Sequence, residues 1–549
     1  MLSVMAAMFL VALDQTIIAT ALGRIVEEFH SFDSLTWIVT AYLLTTTITV
    51  PIAGKLSDLF GRRVILLIGV GIFGVASLLG GMSGDVLQLI IWRAVQGIGA
   101  GIITANAFTI VGDLFEARER GRWQGLIGAV FGLSSIVGPL LGGWLTDGQQ
   151  LFGLTTDWRW TFFINVPIGI LAFLFIALFC PPLKHENKPV IDYKGAALLT
   201  VALATLILAV DNTATIFADL MMTTGLSLTG LRIIMFSIVA LALAAFIWVE
   251  HKAEQPIIPL RFFKNANFVK IMIIATLFGG AFMGSILYLT QFNQQVFGAT
   301  PTESGLMLLP MVAGIMTSSI LSGQLISKIG KYKIFMQVGF VVATIGMFLM
   351  TFLTPESSYV YEAIVMVALG LGMGVAMPVI NLAVQNEFEQ RDLGVATSSN
   401  QLFRSLGSTI GTAVFGAVLT AGIVAGTAGI QELPYLKTVG QSAKVQELGD
   451  INDANTLLNL NTPTIKKEID SAAETQFKLL PTTVATQART QFYDQQGEFS
   501  TRITHAFSGA LRDIFVTATV LMGIATVIVF SLKERPLKSA KADATPGEL

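Results

Sequence analysis

The chain has 549 residues, 53% of them hydrophobic and 13% charged, with a formal net charge of −2. Water-soluble globular proteins carry about 25% charged residues, so most of this surface is built for something other than water. The near-neutral balance argues against nucleic acid or another polyanion as partner. The single cysteine, Cys180, excludes an intramolecular disulfide framework and a cysteine-based zinc cluster.

A helix that crosses a bilayer needs about 20 mostly apolar residues. In chain order that measure gives spans near 1–22, 36–54, 64–83, 87–111, 123–145, 160–180, 193–211, 227–249, 267–290, 304–326, 333–353, 360–384, 394–424 and 507–532. The expected fold is an all-α polytopic membrane protein of fourteen spans. Met1 opens directly into an apolar run without a basic leader or a small-residue cleavage site; this reads as a first span, with a short N-terminal tail expected before it. Lysine and arginine collect in one set of short loops, including Lys55, Arg62, Arg63, Arg118, Arg120, Arg122, Lys184, Lys188, Lys328, Lys331 and Lys333. The tail adds Lys533, Arg535, Lys538 and Lys541, whereas the opposite short loops hold Arg24, Arg159 and Arg232. The positive-inside rule then puts both termini in the cytoplasm, which requires an even number of spans. Residues 425–506 are polar and fall outside. Helical periodicity at 464–480 points to a small extracytoplasmic helical subdomain, with disorder as the alternative.

The chain also repeats itself. A shift of 273 brings Gly97, Gly99 and Gly101 onto Gly370, Gly372 and Gly374, and Glu116, Arg118, Gly121 and Gly138 onto Glu389, Arg391, Gly394 and Gly411. A second echo relates GKLSDLFGRR at 54–63 to GQLISKIGKY at 323–332. Secondary transporters are built from such repeats, with substrate held between the halves near the bilayer midplane. The expected organisation is a six-helix bundle at 1–180, two inserted helices and a cytoplasmic loop at 181–266, and a second six-helix bundle at 267–549 that contains 425–506.

Five segments carry candidate chemistry. In LDQTIIATAL (13–22), Asp14 is the one acid of span 1. Desolvation disfavours the charged form of an isolated carboxylate, so Asp14 is a candidate to take up and release a proton; the other reading is a structural partner for a neighbouring helix. In GKLSDLFGRRVIL (54–66), Gly54 and Gly61 permit close helix approach and a sharp turn. Asp58 can meet a helix N-terminus or an arginine, and Arg62 and Arg63 can pair with acids or lipid headgroups. In LIIWRAVQGIGAG (89–101), Arg93 lies inside span 4. A charge there costs at least about 2.5–3.5 kcal/mol and needs a partner, so it is either functional or a structural anchor. In GLIGAVFGLSSIVGPLLGG (125–143), Gly138, Pro139, Gly142 and Gly143 give span 5 a small-residue face and a bend. DWRWTFFINVPIG (157–169) places Asp157, Arg159 and two tryptophans at an interface. Gln15, Asn106, Gln124, Asn165, Asn400 and Arg404 are candidate cavity-lining residues. No Walker A loop, zinc spacing, nucleophile elbow or dinucleotide fingerprint appears, so neither an enzyme nor an ATP-driven pump is expected, and no metal or cofactor.

These strings resemble those of the major facilitator superfamily, and in particular its fourteen-span drug:proton antiporters. Residues 54–66 look like the superfamily's signature loop, whose residues gate conformational change. Residues 89–101 look like its span-4 motif, whose arginine is linked to proton coupling. Residues 125–143 are similar to the antiporter motif found in exporters, with Ser134 where a glycine is usual. Residues 13–22 resemble the family's span-1 motif but depart from it at Thr20, usually valine, and Gly23, usually proline. The resemblance implies a proton-coupled multidrug exporter of a bacterial cytoplasmic membrane, driven by the proton gradient and acting as a monomer on small amphipathic compounds. A lipid or metabolite exporter, or a proton-coupled importer, remains the alternative. Asp14 and Arg93 would carry the proton or substrate charge, and Pro139 and Gly142 the direction of transport.

Overall fold

The computed structural model describes residues 1–29, 35–146, 148–151, 153–181, 191–210, 213–299, 301–439, 456–457, 460–461 and 463–537. Lys184, Lys188, Lys538 and Lys541 lie outside them. The first half comprises α1 (Leu2–Phe29), α2 (Leu35–Phe60), α3 (Arg62–Gly81), α4 (Val86–Leu114), α5 (Ala117–Thr146), a two-stranded hairpin of β1 (Gln150–Leu151) and β2 (Leu154–Thr155), and α6 (Trp160–Phe163) with α7 (Asn165–Phe179). Next come α8 (Tyr193–Val210), the short α9 (Thr213–Ile216) and α10 (Ala218–Thr224), and α11 (Leu228–Lys252). The second half comprises α12 (Ala266–Gln295), α13 (Pro301–Met307), α14 (Leu309–Ile329), α15 (Lys333–Met350), α16 (Tyr359–Glu387), α17 (Leu393–Gly426), α18 (Pro434–Val439), α19 (Pro463–Phe477) and α20 (Thr482–Phe530). Thirteen spans among the described residues are long and apolar enough to cross a bilayer, and α1 adds a shorter apolar run at Leu2–Ile18. In lipid the backbone must satisfy its own hydrogen bonds, which leaves helices as the form these apolar segments take.

Two spans are broken, each for a local reason. Pro167 lacks the N–H that would bond Phe163, and the helix interrupts at Ile164 between α6 and α7. Pro310 does the same to α13 and α14, which part at Leu308.

The internal repeat is visible in the packing. In the first half α1 packs on α5 and α7, α2 and α3 pack on α4, and α3 packs on α7. In the second half the equivalent contacts are α12 on α17 and α20, α14 and α15 on α16, and α15 on α20. The glycine register explains the match. A Cβ on Gly99 would stand 2.7 Å from the backbone nitrogen of Phe73 on α3, and one on Gly372 would stand 2.6 Å from Ala343 Cα on α15. Gly97 meets the Tyr42 carbonyl of α2 as Gly370 meets the Met311 carbonyl of α14. The second echo has its own signature: Gly61 and Gly330 both end a helix with positive φ, 94° and 76°. α8 and α11 pair with each other, and α8 touches α2 and α17 at the flank.

The halves meet through α2 against α17 and α5 against α14, an exchange of equivalent helices. Arg62, Arg63, Arg118 and Lys331 mark one end of the bundle, hereafter the basic end. Met1 is at that end beside Cys180, and so is the tail, where Arg535 pairs with Glu387.

Residues 425–506 form, where described, a helical subdomain at the opposite end. Tyr435, Leu436, Leu457, Leu460, Ile469, Phe492, Phe499 and Ile503 bury one another in a separate apolar core. α20 is 49 residues long, about 70 Å at 1.5 Å per residue, so the last span and the subdomain share one helix. Arg489 Nη2 lies 2.5 Å from Glu474 Oε2, and this hydrogen-bonded guanidinium holds the Glu474 carboxyl below its ordinary range.

Overpacking a tight contact costs about 1–3 kcal/mol. Gly99→Leu and Gly372→Leu should each lower the thermal unfolding midpoint of the purified protein. Gly71→Leu, whose Cβ would meet nothing within 4 Å, should leave it near wild type. Equal melting of all three would show that the glycine register does not carry the packing.

Candidate functional site

A buried polar cluster joins α1, α2, α3, α4, α6 and α7 of the first half. Asp14 on α1 and Arg93 on α4 are 1% and 2% exposed, and Arg93 Nη1 lies 2.7 Å from Asp14 Oδ2. Asp14 Oδ1 accepts from Gln96 Nε2 and Asn165 Nδ2, both at 2.8 Å. Arg93 also donates to Gln96 Oε1 at 2.8 Å and to the Ile38 carbonyl at 3.3 Å, with its guanidinium 4.2 Å from the Tyr42 ring centre. Ser77 accepts from Gln96 and Asn165 and donates to the Phe162 carbonyl. Asp14 is therefore not the isolated carboxylate that its apolar neighbours in sequence imply. Bringing the Arg93 charge into the same dry interior is what makes both tolerable. The sequence pointed to Asp14, Arg93 and Asn165 but not to Gln96, Ser77 or Tyr42. Gln96 carried a usable signal, since three residues after Arg93 is the same helix face.

A second cluster closes the basic end. Arg62, fully buried, bonds Asp113 Oδ2 through Nε at 2.7 Å and Ser57 through Nη1 at 2.5 Å, and it pairs with Asp58. Asp58 lies against Gly394 in the first turn of α17, where a Cβ would collide with its carboxylate. A negative charge there suits the positive end of the helix dipole. Gly54 packs on Ser398 of α17, and Gly61 makes the turn into α3. Arg63 instead donates to the Ala177 carbonyl of α7. Gln390 reaches Asp113 at 3.2 Å across the halves. Gln124 donates to Gln385 at 2.9 Å, and Gln385 to the Phe108 carbonyl at 3.0 Å. Asp113 was not anticipated; its place at the end of α4 carries no spacing signal toward Arg62.

Span 5 packs its small residues on α1. A Cβ on Gly138 would collide with Thr16, and one on Gly142 with Thr20 and, at 2.8 Å, with the Ile17 carbonyl. Pro139 lies inside α5 and approaches Gly305 of α13, while Gly143 is half-buried. The expected cavity-lining residues divide. Gln15 is exposed and adjoins Tyr42, and Arg404 is half-buried along Gly279 of α12 with no carboxylate partner among the described residues. The others offer no lining surface in this conformation. Asn106 donates to Ile102 on its own helix, Gln124 seals the halves, Asn165 belongs to the Asp14 cluster, and Asn400 donates to Asn381 at 2.7 Å. Each of these amides donates its N–H within the protein, while its own side-chain carbonyl oxygen is buried with no partner among the described residues.

A repeated bundle of bilayer-length helices, with charge pairs buried between helices of its first half, has the architecture of a membrane transporter. The family model of the Major Facilitator Superfamily matches residues 4–412, and the chain belongs to that superfamily. It is 34% identical over 548 residues to the multidrug transporter protein MdtP of Bacillus subtilis, covering 98% of this chain and 93% of that one. It is 37% identical to multidrug resistance protein 3 of the same organism, covering 74% and 77%. Among solved structures it is similar to the human organic anion transporter MFSD10, with TM-score 0.57 at 16% identity, over 76% of this chain and 92% of that one.

Breaking one partner of a buried pair costs about 3–5 kcal/mol. Arg62→Ala should therefore loosen the basic end, and a cysteine placed at Ser319, which bonds the Gly125 carbonyl across the halves, should react faster with a thiol reagent in that variant, on a Cys180→Ala background. An unchanged rate would deny Arg62 a role in holding the halves together.

Proposed function

We propose that this transporter exports small amphipathic compounds across a bacterial cytoplasmic membrane in exchange for protons, with no cofactor beyond the proton gradient. The observation that carries the reading is the buried Asp14–Arg93 cluster, which ties α1 to α4 and α7 beside the glycine-packed face of α5. Protonating Asp14 removes the charge opposite Arg93, which is left with Gln96, the Ile38 carbonyl and the Tyr42 ring. The tie between α1 and α4 weakens, and a proton that binds one arrangement better shifts the balance toward it. The names of the two Bacillus relatives support a drug-like substrate. The lysine and arginine bias supports cytoplasmic termini, with the basic end facing inward. The lipid bilayer is its surroundings, nucleic acid is no partner, and the unit is a monomer.

A second reading has one observation in its favour. Arg404 offers a positive charge with no acid against it among the described residues, which suits a solute bearing an anionic group, such as a metabolite or lipid headgroup.

Asp14→Asn should abolish export driven by an imposed pH gradient in everted vesicles while the protein still reaches the membrane, and it should melt early because Arg93 is left buried without its charge partner. Asp14→Asn combined with Arg93→Gln should recover melting toward wild type but not export. Export at the wild-type rate by either variant would end the proposal. Orientation has its own test. Gln491→Cys on a Cys180→Ala background should label from outside intact cells with a membrane-impermeant reagent; labelling only after lysis would invert the topology.

A further inference from the structure

Glu362 is the acid that this account leaves unused. It sits in the first turn of α16, is 0% exposed, and has no cation beside it among the described residues. Its neighbour is Asn293, near the end of α12 and also 0% exposed. Both carboxyl oxygens of Glu362 and both side-chain amide atoms of Asn293 are buried with no hydrogen-bond partner among the described residues. Other buried polar atoms also lack partners, but here an acid and its neighbouring amide leave all four of theirs unpaired, with no cation beside them among the described residues.

The surroundings supply no countercharge. On α16 itself, Tyr359 donates to the Met307 carbonyl and Tyr361 to the Leu349 carbonyl. The charged residues of the packed helices α12, α14 and α15 are Lys270, Lys328 and Lys333, and those of α5 are Arg118, Glu119, Arg120 and Arg122, all at the basic end; α17 adds Arg404, which lies along Gly279, well down α12 from Asn293. Glu303 on α13 is a further acid at the same end as Glu362, and Glu356 in the loop before α16 is turned to His505. An ionised carboxylate without a counterion is strongly disfavoured in such a place.

The repeat shows why this position matters. The shift of 273 sets Glu362 on Leu89, one turn before Arg93 on α4, and sets Met366 on Arg93 itself. The helix pair α1–α4, bridged by Asp14 and Arg93, is the equivalent of α12–α16, where Asn293 is the polar neighbour of Glu362. The first half fills that interface with two opposite charges. The second half fills it with one acid and an amide, displaced toward the end opposite the basic one.

We propose that Glu362, with Asn293 beside it, is a second proton-binding site, in the second half of the transporter. With the α12–α16 seam closed, as here, Glu362 holds a proton on its carboxyl and the site is neutral. When the seam parts, water reaches the first turn of α16, the proton leaves to that water, and the carboxylate is solvated. Reprotonation of the carboxylate then favours reclosing. The site deepens the proton-exchange reading and rests on it for its role in transport, but its chemistry can be read without any substrate.

The test is infrared difference spectroscopy of the full-length protein in detergent between acid and alkaline pH. Wild type should show a protonated-carboxyl C=O band that is lost at alkaline pH. Glu362→Gln should lack that band, Asp14→Asn should keep it, and Asn293→Leu should keep it with a displaced titration midpoint. An identical band in Glu362→Gln, or one indifferent to Asn293→Leu, would overturn the proposal. Should wild type carry no compound against protons while the band still titrates at Glu362, the transport reading fails and the proton site stands.

Discussion

A charge taken into the hydrocarbon must bring its partner with it, and that requirement organises this molecule. Arg93 could not lie inside α4 without Asp14 on α1, and Asp14 could not be buried at 1% exposure without Arg93, Gln96 and Asn165 around it. The partners come from different helices, so each electrostatic debt becomes a tertiary contact. Arg62 repeats the pattern at the basic end, where it gathers Asp58, Asp113 and Ser57 and sets Asp58 against α17. Apolar packing does little to hold helices together when lipid is equally apolar. Small residues and paired charges therefore specify which helices meet.

The two halves use one plan with different fillings. The glycines of α4 and α16 bring each helix onto its neighbours at matching positions. The corner where α2 meets α3 carries Asp58 and Arg62, whereas the turn after α14 carries Lys331, and the buried Glu387 of the second half finds Arg535 from the tail. Pro139 has Thr412 as its counterpart. A transporter that were symmetric in energy as well as shape would have no preferred direction. The departures fall at the contacts between halves and in the charged sites, where a bias acts on the balance between states.

The fold was legible in the sequence because a lipid environment leaves few options for apolar runs of this length. The glycine repeat located both halves, and the structure meets it contact by contact. The site was legible in part. Asp14, Arg93, Asp58 and Arg62 stood out because charge is rare in such segments. Their partners did not, because Gln96, Ser77 and Asp113 look like ordinary polar residues until helices are placed side by side. Asn106, Gln124 and Asn400 show the converse. A polar residue in a span is as readily consumed by a neighbour as offered to a solute, and composition alone does not separate the two. The break at Ile164 follows from Pro167 once it is read for the hydrogen bond it removes.

The continuity of α20 has a mechanical meaning. Its lower part packs on α12, α15 and α17 within the second half, and its upper part supplies Phe492, Phe499 and Ile503 to the separate core of the subdomain. No hinge interrupts it between Thr482 and Phe530. The subdomain is thus fixed to one half like a mast stepped in a hull. Any rocking of that half swings the mast head through a wider arc than the bilayer itself allows, and a load applied to the mast is felt at its foot.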